Sequence, residues 1–331
     1  MKSIKWLIVV CMVLMIVFSS IIIQAETVLK YSEMNSVQTP QGLFTNYFAD
    51  LVEEKTEGRV KIDTYFNSSL VGYDIEPVQT GVADFNQLIP SFVADLHKEL
   101  SIFGAPFLFK NYEQVLTIAD PRSPIIERIN ASLSSKGVRI LTAYPLGFRH
   151  FTTSEKPIYT PEDLKGLKIR TVPSEAYMET MKALGATPTP MSFGEVATAL
   201  ATGVIDGQEN PYSVIVPNGL HEVQDYVIAT GHLMTFAGVF MNQAAWEGLS
   251  EEDKEHVLDA AEESIHYITD YIQERNAEWK QTIIDTEGVE IIDESNGLKM
   301  DEFMVVRDKV AEVFKDDWGT LYDEILKILE E

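Results

Sequence analysis

The chain is almost without cysteine. Its single thiol, Cys11, lies in an apolar run near the N-terminus. If that run is removed on export, the mature chain has no disulfide, no thiolate nucleophile and no cysteine metal ligand. Basic residues are also scarce, with 26 lysines and arginines against 51 acidic residues. The resulting net charge of −25 excludes nucleic acid as a favourable partner. It is typical of an exported protein or of a halophilic one.

Sequence patterns that carry common enzyme chemistry are lacking as well. The chain has no Gly-x-Ser-x-Gly nucleophile elbow, no phosphate-binding loop and no dinucleotide-binding fingerprint. Its six histidines are scattered without the spacing of metal ligands. These absences favour a protein that uses no cofactor and no metal and is not an enzyme.

Residues 1–25 have the pattern of an export signal. Two lysines precede an uncharged apolar run from Leu7 to Phe18, and Ile23-Gln24-Ala25 forms a cleavage site with an unusually large first residue. We predict cleavage after Ala25 and a periplasmic mature protein, which loses two lysines and no acidic residue. The alternative is an uncleaved membrane anchor, because Ile21 to Ile23 lengthen the apolar run.

The order of the following elements is that of an α/β protein. The pattern predicts a strand over Thr27 to Met34, a helix over Gln41 to Thr56 and a strand over Val60 to Phe66. Strand–helix–strand units of this kind build parallel sheets. The chain beyond residue 25 is long enough for two such domains.

Residues 166–211 are the most informative stretch. Alternation of apolar and basic residues predicts a strand that carries Arg170 on the face opposite its apolar side chains. A helix follows over Ser174 to Leu184, and the capping box Ser192-Phe193-Gly194-Glu195 begins another. Val204-Ile205 has the pattern of a short buried strand, with Asp206-Gly207 as a turn. Gln208, Glu209 and Asn210 would then follow a strand end, where open α/β sheets bind ligands.

Several separate segments, in order along the chain, resemble one protein family. They are Phe66 to Gly72, Ala105 to Phe109, Gly147 to His150, Gly166 to Arg170, Leu184 to Phe193 and Gly203 to Pro211. Together they resemble the solute-binding proteins of tripartite ATP-independent periplasmic (TRAP) transporters, the DctP family. The likeness covers most of the mature chain.

The resemblance implies a two-domain α/β periplasmic binding protein fold with a cleft between the domains. We expect domain I in residues 26–147, domain II in 148–236, and a return to domain I in 237–276. Residues 277–331 would complete domain II. Helical spacing from Glu251 to Thr286 predicts one long helix. The resemblance implies that it packs along both domains; a dimerisation coiled coil is the alternative.

Arg170 is the principal candidate for ligand binding. A carboxylate that enters a closed cleft loses its water and is costly to leave unpaired. The planar guanidinium donates two parallel hydrogen bonds to carboxylate oxygens and stays charged. The alternative is a strand arginine paired with a surface acid.

The resemblance implies three further ligand residues in domain II. Arg149 matches a second ligand arginine, Asn210 matches an asparagine that binds the carboxylate, and Phe193 matches an aromatic residue that covers the ligand. Asn210 is alternatively a turn residue before proline, and Phe193 a core residue. In domain I the candidates are Asn35, Tyr73 and Gln87, each of which has a plain structural alternative.

These expectations describe a monomeric periplasmic binding protein that captures an organic acid and delivers it to TRAP membrane permease subunits. The resemblance implies that Arg149 favours a sugar acid, such as a uronate or aldonate, over a C4-dicarboxylate. A C4-dicarboxylate or another monocarboxylate within the same family is the alternative. A further alternative is a binding protein of an ABC importer or of a sensor. The least favoured alternative is an exported enzyme acting on an organic acid.

Overall fold

The computed structural model describes residues 26–330, so the predicted export signal lies outside the described residues. The strands in this part of the chain are β1 (Thr27–Ser32), β2 (Val60–Tyr65), β3 (Phe85–Leu88), β4 (Val138–Thr153), β5 (Lys168–Thr171), β6 (Thr187–Pro190), β7 (Gly207–Pro211), β8 (Tyr226–Ile228), β9 (Met234–Asn242) and β10 (Glu290–Ile292). The helices are α1 (Pro40–Lys55), α2 (Glu76–Gln79), α3 (Tyr112–Ala119), α4 (Pro124–Leu133), α5 (Glu175–Ala183), α6 (Val196–Ala201), α7 (Tyr212–Ile215), α8 (Gln243–Glu247), α9 (Glu251–Asp285), α10 (Met300–Met304), α11 (Val306–Val313), α12 (Lys315–Trp318) and α13 (Leu321–Glu330).

The predicted strand–helix–strand unit opens the fold. Helix α1 has Pro40 in its first turn, and the Thr39 side chain accepts a hydrogen bond from the Gly42 amide. Strand β1 pairs in parallel with β2 on one side and β3 on the other. The parallel sheet expected from this order is therefore confirmed.

Strand β4 belongs to two sheets. In the first lobe the strand order is β2-β1-β3-β9-β4, with β9 antiparallel to β3 and β4. Residues Val138 to Phe148 of β4 pair with β9, whereas Arg149 to Thr153 pair with β7 and, in part, β8. The register of the β4–β9 pair shifts between Pro145 and Gly147, just before this change of partner. One continuous strand thus joins the lobes.

The sheet of the second lobe positions the candidate site. Its order is β4-β7-β5-β6, with β8 beside β4 and β10 beside β8. The prediction of a strand at Val204-Ile205 is wrong: the strand begins at Gly207, and Val204 is exposed. The apolar pair instead follows the end of α6, where only Ile205 turns into the core. Gln208, Glu209 and Asn210 consequently lie inside β7 and are buried there.

The predicted long helix is present as the 35-residue α9, with a length of about 52 Å. Val257, Ile265 and Ile272 pack in the core of the first lobe with residues of α1 and β9. Ile283, two residues from its end, packs in the second lobe with residues of α6 and β8. The helix therefore lies along both lobes, as the resemblance implies.

The C-terminal helices pack differently from the expectation that residues 277–331 complete domain II. Phe303 and Val306 lie in the core of the second lobe. Phe314 and Trp318, in contrast, pack in the core cluster of the first lobe, and the Trp318 indole donates to the Ser101 hydroxyl at 2.8 Å. An amphipathic pattern shows that one face of a helix is buried but not which lobe buries it.

Candidate functional site

Three of the four candidate residues of the second lobe lie on neighbouring strands. Arg149 is on β4, Asn210 on β7 and Arg170 on β5, and β7 lies between the other two. His150 is opposite Asn210 in the β4–β7 pair, and Arg170 is beside Gln208 in the β5–β7 pair. The sheet register therefore brings together residues that are up to 61 positions apart in sequence.

Arg170 is buried, with 2% of its surface exposed, yet part of its hydrogen-bonding capacity is unused. Its Nε and Nη2 atoms donate to the Met191 carbonyl oxygen at 3.3 and 2.9 Å. Its Nη1 atom is buried and has no partner in the described part of the chain. Burial lowers the pKa of this guanidinium to about 10, Arg149 adds to the shift and Glu209 opposes it. The group stays charged at neutral pH and has a donor available.

Arg149 has a different environment, which sequence reasoning did not foresee. Its Nε atom forms an ion pair with Glu209, and its Nη2 atom is 2.9 Å from the second carboxylate oxygen. Its remaining donors reach the Thr235 hydroxyl at 2.8 Å and the Asn210 side-chain oxygen at 3.1 Å. The Tyr177 ring lies 5.3 Å from the guanidinium carbon. The charge of Arg149 is thus compensated within the protein.

Glu209 was expected near the ligand site from its position in the chain, but its pairing with Arg149 was not predicted. Burial alone would raise the pKa of its carboxyl, but Arg149 and His232 lower that pKa to about 2. His232 is fully buried, stacks on Phe151 at 4.3 Å and has its Nε2 atom 3.5 Å from a Glu209 oxygen. From sequence alone, a glutamate and an arginine on neighbouring strands can hardly be recognised as an ion pair.

Asn210 and Phe193 flank this cluster in opposite ways. The Asn210 side chain is buried and joins Arg149 to Gln208, whose side-chain oxygen accepts from its Nδ2 atom. Phe193 is 41% exposed, and its ring centre lies 5.8 Å from the guanidinium carbon of Arg170. The capping box predicted beside it, between Ser192 and Glu195, is present. Phe193 is therefore not a core residue but an open aromatic face over the arginine.

The three first-lobe candidates have partners of their own. Asn35 donates to the buried Glu33 carboxylate at 2.7 Å. The Tyr73 hydroxyl accepts from the Ile89 amide at 2.6 Å. The Gln87 side-chain oxygen accepts from Tyr144 at 2.6 Å and from Tyr31 at 3.4 Å. These contacts give each polar side chain a hydrogen-bond partner within the protein, and a ligand role for them remains a prediction.

The lobes meet at Tyr177, on the first turns of α5. The Tyr177 ring packs with Val172 and Leu233 of the second lobe and with Phe92 of the first. Gly104 of the first lobe approaches so closely that a Cβ atom there would lie 3.0 Å from the tyrosine ring. This contact places the start of α5 against the first lobe.

His150 and the other histidines do not form a metal site. His150 stacks on Tyr212 at 4.2 Å, and its Nδ1 atom accepts from the Gly231 amide at 3.1 Å. Burial lowers its pKa to about 3, so it is neutral at physiological pH. Over residues 26–330 no group of three or more potential ligands is arranged to hold a metal ion.

Comparison with known proteins identifies the family. The model of the DctP family, bacterial extracellular solute-binding protein family 7, matches residues 31–317. The chain belongs to the DctP family. The TRAP solute-binding protein resemblance noted in the sequence is therefore confirmed, and the relatives are binding proteins of transporters rather than enzymes.

Three relatives illustrate the similarity of this DctP-family chain to characterised proteins. The C4-dicarboxylate-binding protein DctB of Bacillus subtilis is 30% identical over 309 residues, covering 92% of this chain and 87% of its own. The 2,3-diketo-L-gulonate-binding periplasmic protein YiaO of Escherichia coli is 33% identical over 280 residues, covering 83% of each. The crystal structure of a TRAP periplasmic solute-binding protein from Polaromonas bound to D-erythronate has a TM-score of 0.80 and 29% identity, covering 92% of this chain and 98% of its own.

These matches confirm the predicted two-domain α/β fold of the family. The family description is one of extracellular proteins. Within residues 26–330, none of the helices combines the length and apolarity that a membrane span requires.

Proposed function

We propose that this chain captures an organic acid with a single carboxylate, a sugar acid such as a uronate or aldonate, between its lobes. The observation that carries the proposal is the buried Arg170 guanidinium, which has a free Nη1 donor and no ion-pair partner in the described residues. A carboxylate supplies both the charge and the acceptor that this group lacks.

The number of charges in the site favours one carboxylate over two. Glu209 already balances Arg149, so Arg170 alone carries an uncompensated charge among the three. A monoanion neutralises that charge, whereas the second carboxylate of a dianion needs another partner. The relatives bind acids of both kinds by name: D-erythronate and 2,3-diketo-L-gulonate for two of them, C4-dicarboxylates for the third. The last name makes a C4-dicarboxylate the second candidate.

Closure of the lobes would follow from the contacts of the acid. A ligand held by Arg170 on the second lobe and by polar groups of the first lobe stabilises the closed arrangement, because only there does it contact both. We propose that residues 1–25 direct the chain to the periplasm and that the closed form delivers its acid to the TRAP membrane permease.

The test is a thermal-shift screen with sugar acids, succinate and malate, followed by calorimetry of the acids that raise the melting temperature. Arg170→Ala should weaken binding by about 3–5 kcal/mol, or roughly a hundred- to several-thousand-fold, because the carboxylate would be buried unpaired.

Arg139→Ala is the matched control. Arg139 is another largely buried arginine whose pKa burial lowers to about 10, but it lies over Trp246 on the far part of β4. Its replacement should leave the affinity unchanged. Wild-type affinity in Arg170→Ala, or equal losses in both variants, would contradict the assignment. Tighter binding of succinate than of every sugar acid would favour the C4-dicarboxylate candidate.

A further inference from the structure

Three buried polar atoms without hydrogen-bond partners are concentrated in eight consecutive residues. They are Nη1 of Arg170, Oγ of Ser174 and the hydroxyl oxygen of Tyr177. All three side chains are more than nine-tenths buried. Since buried polar groups in folded proteins nearly always have partners, such a concentration indicates groups that a ligand completes.

The Ser174 side chain is unusual for its position. It is the N-cap residue of α5, a site where serine normally accepts from the amides of the first turn. Its hydroxyl accepts from none of them. The first amides of a helix have no partners within the helix, so both these amides and the serine oxygen are available to an outside group. Helix α5 is nine residues long, which is enough to give its N-terminus a positive potential.

The Tyr177 hydroxyl belongs to the same region of the cleft. Burial raises its pKa to about 12, so it is a neutral donor at every physiological pH. It lies near the Thr235 hydroxyl, which already accepts from Arg149. The Tyr177 ring covers the Arg149 guanidinium, and the charge of Arg149 in turn acts on Arg170. Arg149 therefore lies against Tyr177 and close enough to Arg170 to affect its pKa.

We propose that Ser174 and Tyr177 bind the hydroxyl groups next to the carboxylate that Arg170 holds, and so select hydroxylated acids. This inference rests on the proposed function of the cleft. Hydroxyl groups fit these partners, because an alcohol accepts from the tyrosine or a helix amide and donates to the serine oxygen. Of the two arginines in the described part of this site, only Arg170 lacks a carboxylate partner, since Glu209 compensates Arg149.

The test compares Tyr177→Phe and Ser174→Ala with wild type by calorimetry. The probes are D-erythronate, D-galacturonate and D-gluconate, with 2-deoxy- and 3-deoxy-D-gluconate as counterparts that each lack one hydroxyl. Each substitution should weaken binding of a hydroxy acid about three- to tenfold, which is the scale of one neutral hydrogen bond. The loss should shrink to less than twofold for the deoxy acid that lacks the hydroxyl in question.

Two controls separate recognition from folding. Without ligand, Tyr177→Phe should melt close to wild type, because the Tyr177 hydroxyl has no well-formed hydrogen bond to lose. Tyr322→Phe, in the C-terminal helix α13 where the ring stacks on Trp318, should leave all affinities unchanged.

Each remaining outcome has a definite meaning. Equal affinities of wild type and both variants for the hydroxy acids would overturn the subsite while leaving the proposed function intact. Preferred binding of succinate with no change in the variants would overturn the subsite and also favour the C4-dicarboxylate candidate over the proposed sugar acid. If neither the sugar acids nor succinate bind wild type, the proposed function itself fails and the subsite with it.

Discussion

The buried ion pair between Arg149 and Glu209 makes a quantitative prediction about stability. Glu209→Gln keeps the shape of the side chain but removes the charge, leaving the Arg149 guanidinium buried with 1% of its surface exposed. At least two hydrogen bonds to the carboxylate are weakened at the same time. Removing one partner of a buried pair costs about 3–5 kcal/mol, and we expect a loss of this size in the free energy of unfolding.

The measurement is urea-induced unfolding, followed by circular dichroism, at pH 7 without ligand. Glu278→Gln is the control, because it removes the same group from an exposed ion pair with Arg275. We expect that control to unfold at nearly the wild-type urea concentration, since water already screens the exposed pair. Adding Arg149→Met to Glu209→Gln should recover much of the loss by removing the orphaned charge.

A loss of stability in Glu209→Gln as small as that in Glu278→Gln would contradict this prediction. A double variant less stable than Glu209→Gln alone would contradict it as well. Either result would mean that Arg149 finds other compensation, and the charge balance used to favour a monoanion would no longer hold.

Two further predictions concern residues around the site. Because the pKa of His150 is about 3 in the fold and near 6.5 in the unfolded chain, the unfolded state binds more protons in this range, and stability falls as the pH decreases through it. His150 should lower the free energy of unfolding by about 2 kcal/mol between pH 7 and pH 5. In a His150→Gln variant, measured by urea unfolding at pH 7 and pH 5, the decrease in this free energy should be smaller by that amount. An equal decrease in wild type and variant would contradict this. Gly207→Ala places a Cβ atom 2.3 Å from the Thr152 carbonyl oxygen, so it should lower the free energy of unfolding by about 1–3 kcal/mol. Gly72→Ala, in open space, should show no comparable change, and equal effects in the two alanine variants would disprove the steric argument.

The regular elements were predictable from local pattern. The helix expected over Gln41 to Thr56 is observed at Pro40–Lys55, and the long helix expected to end at Thr286 ends at Asp285. Both have strong helical periodicity and a recognisable N-cap, which are properties of neighbouring residues. The strand expected at Val204-Ile205 failed because two apolar residues alone carry no period.

The site was only partly predictable, because its charges depend on long-range partners. The strand pattern identified Arg170 as a candidate, and its buried, partly unsatisfied guanidinium is compatible with that role. The pairing of Arg149 with Glu209 joins residues 60 positions apart. A chain with 51 acidic residues offers many possible partners, and only the β4–β7 register selects one. That the side chains of Ser174 and Tyr177 lack hydrogen-bond partners likewise becomes evident only when the positions of all their neighbours are known.

Helix α9 limits how the two halves of the molecule can move. Its first part is anchored in one hydrophobic core and Ile283 in another, with no proline or glycine between Glu251 and Asp285 to act as a joint. Any rotation that opens the cleft must bend α9 or move one lobe along it. Elastic energy stored in this way would oppose or assist that opening, so the stiffness of α9 would contribute to how long a ligand is retained.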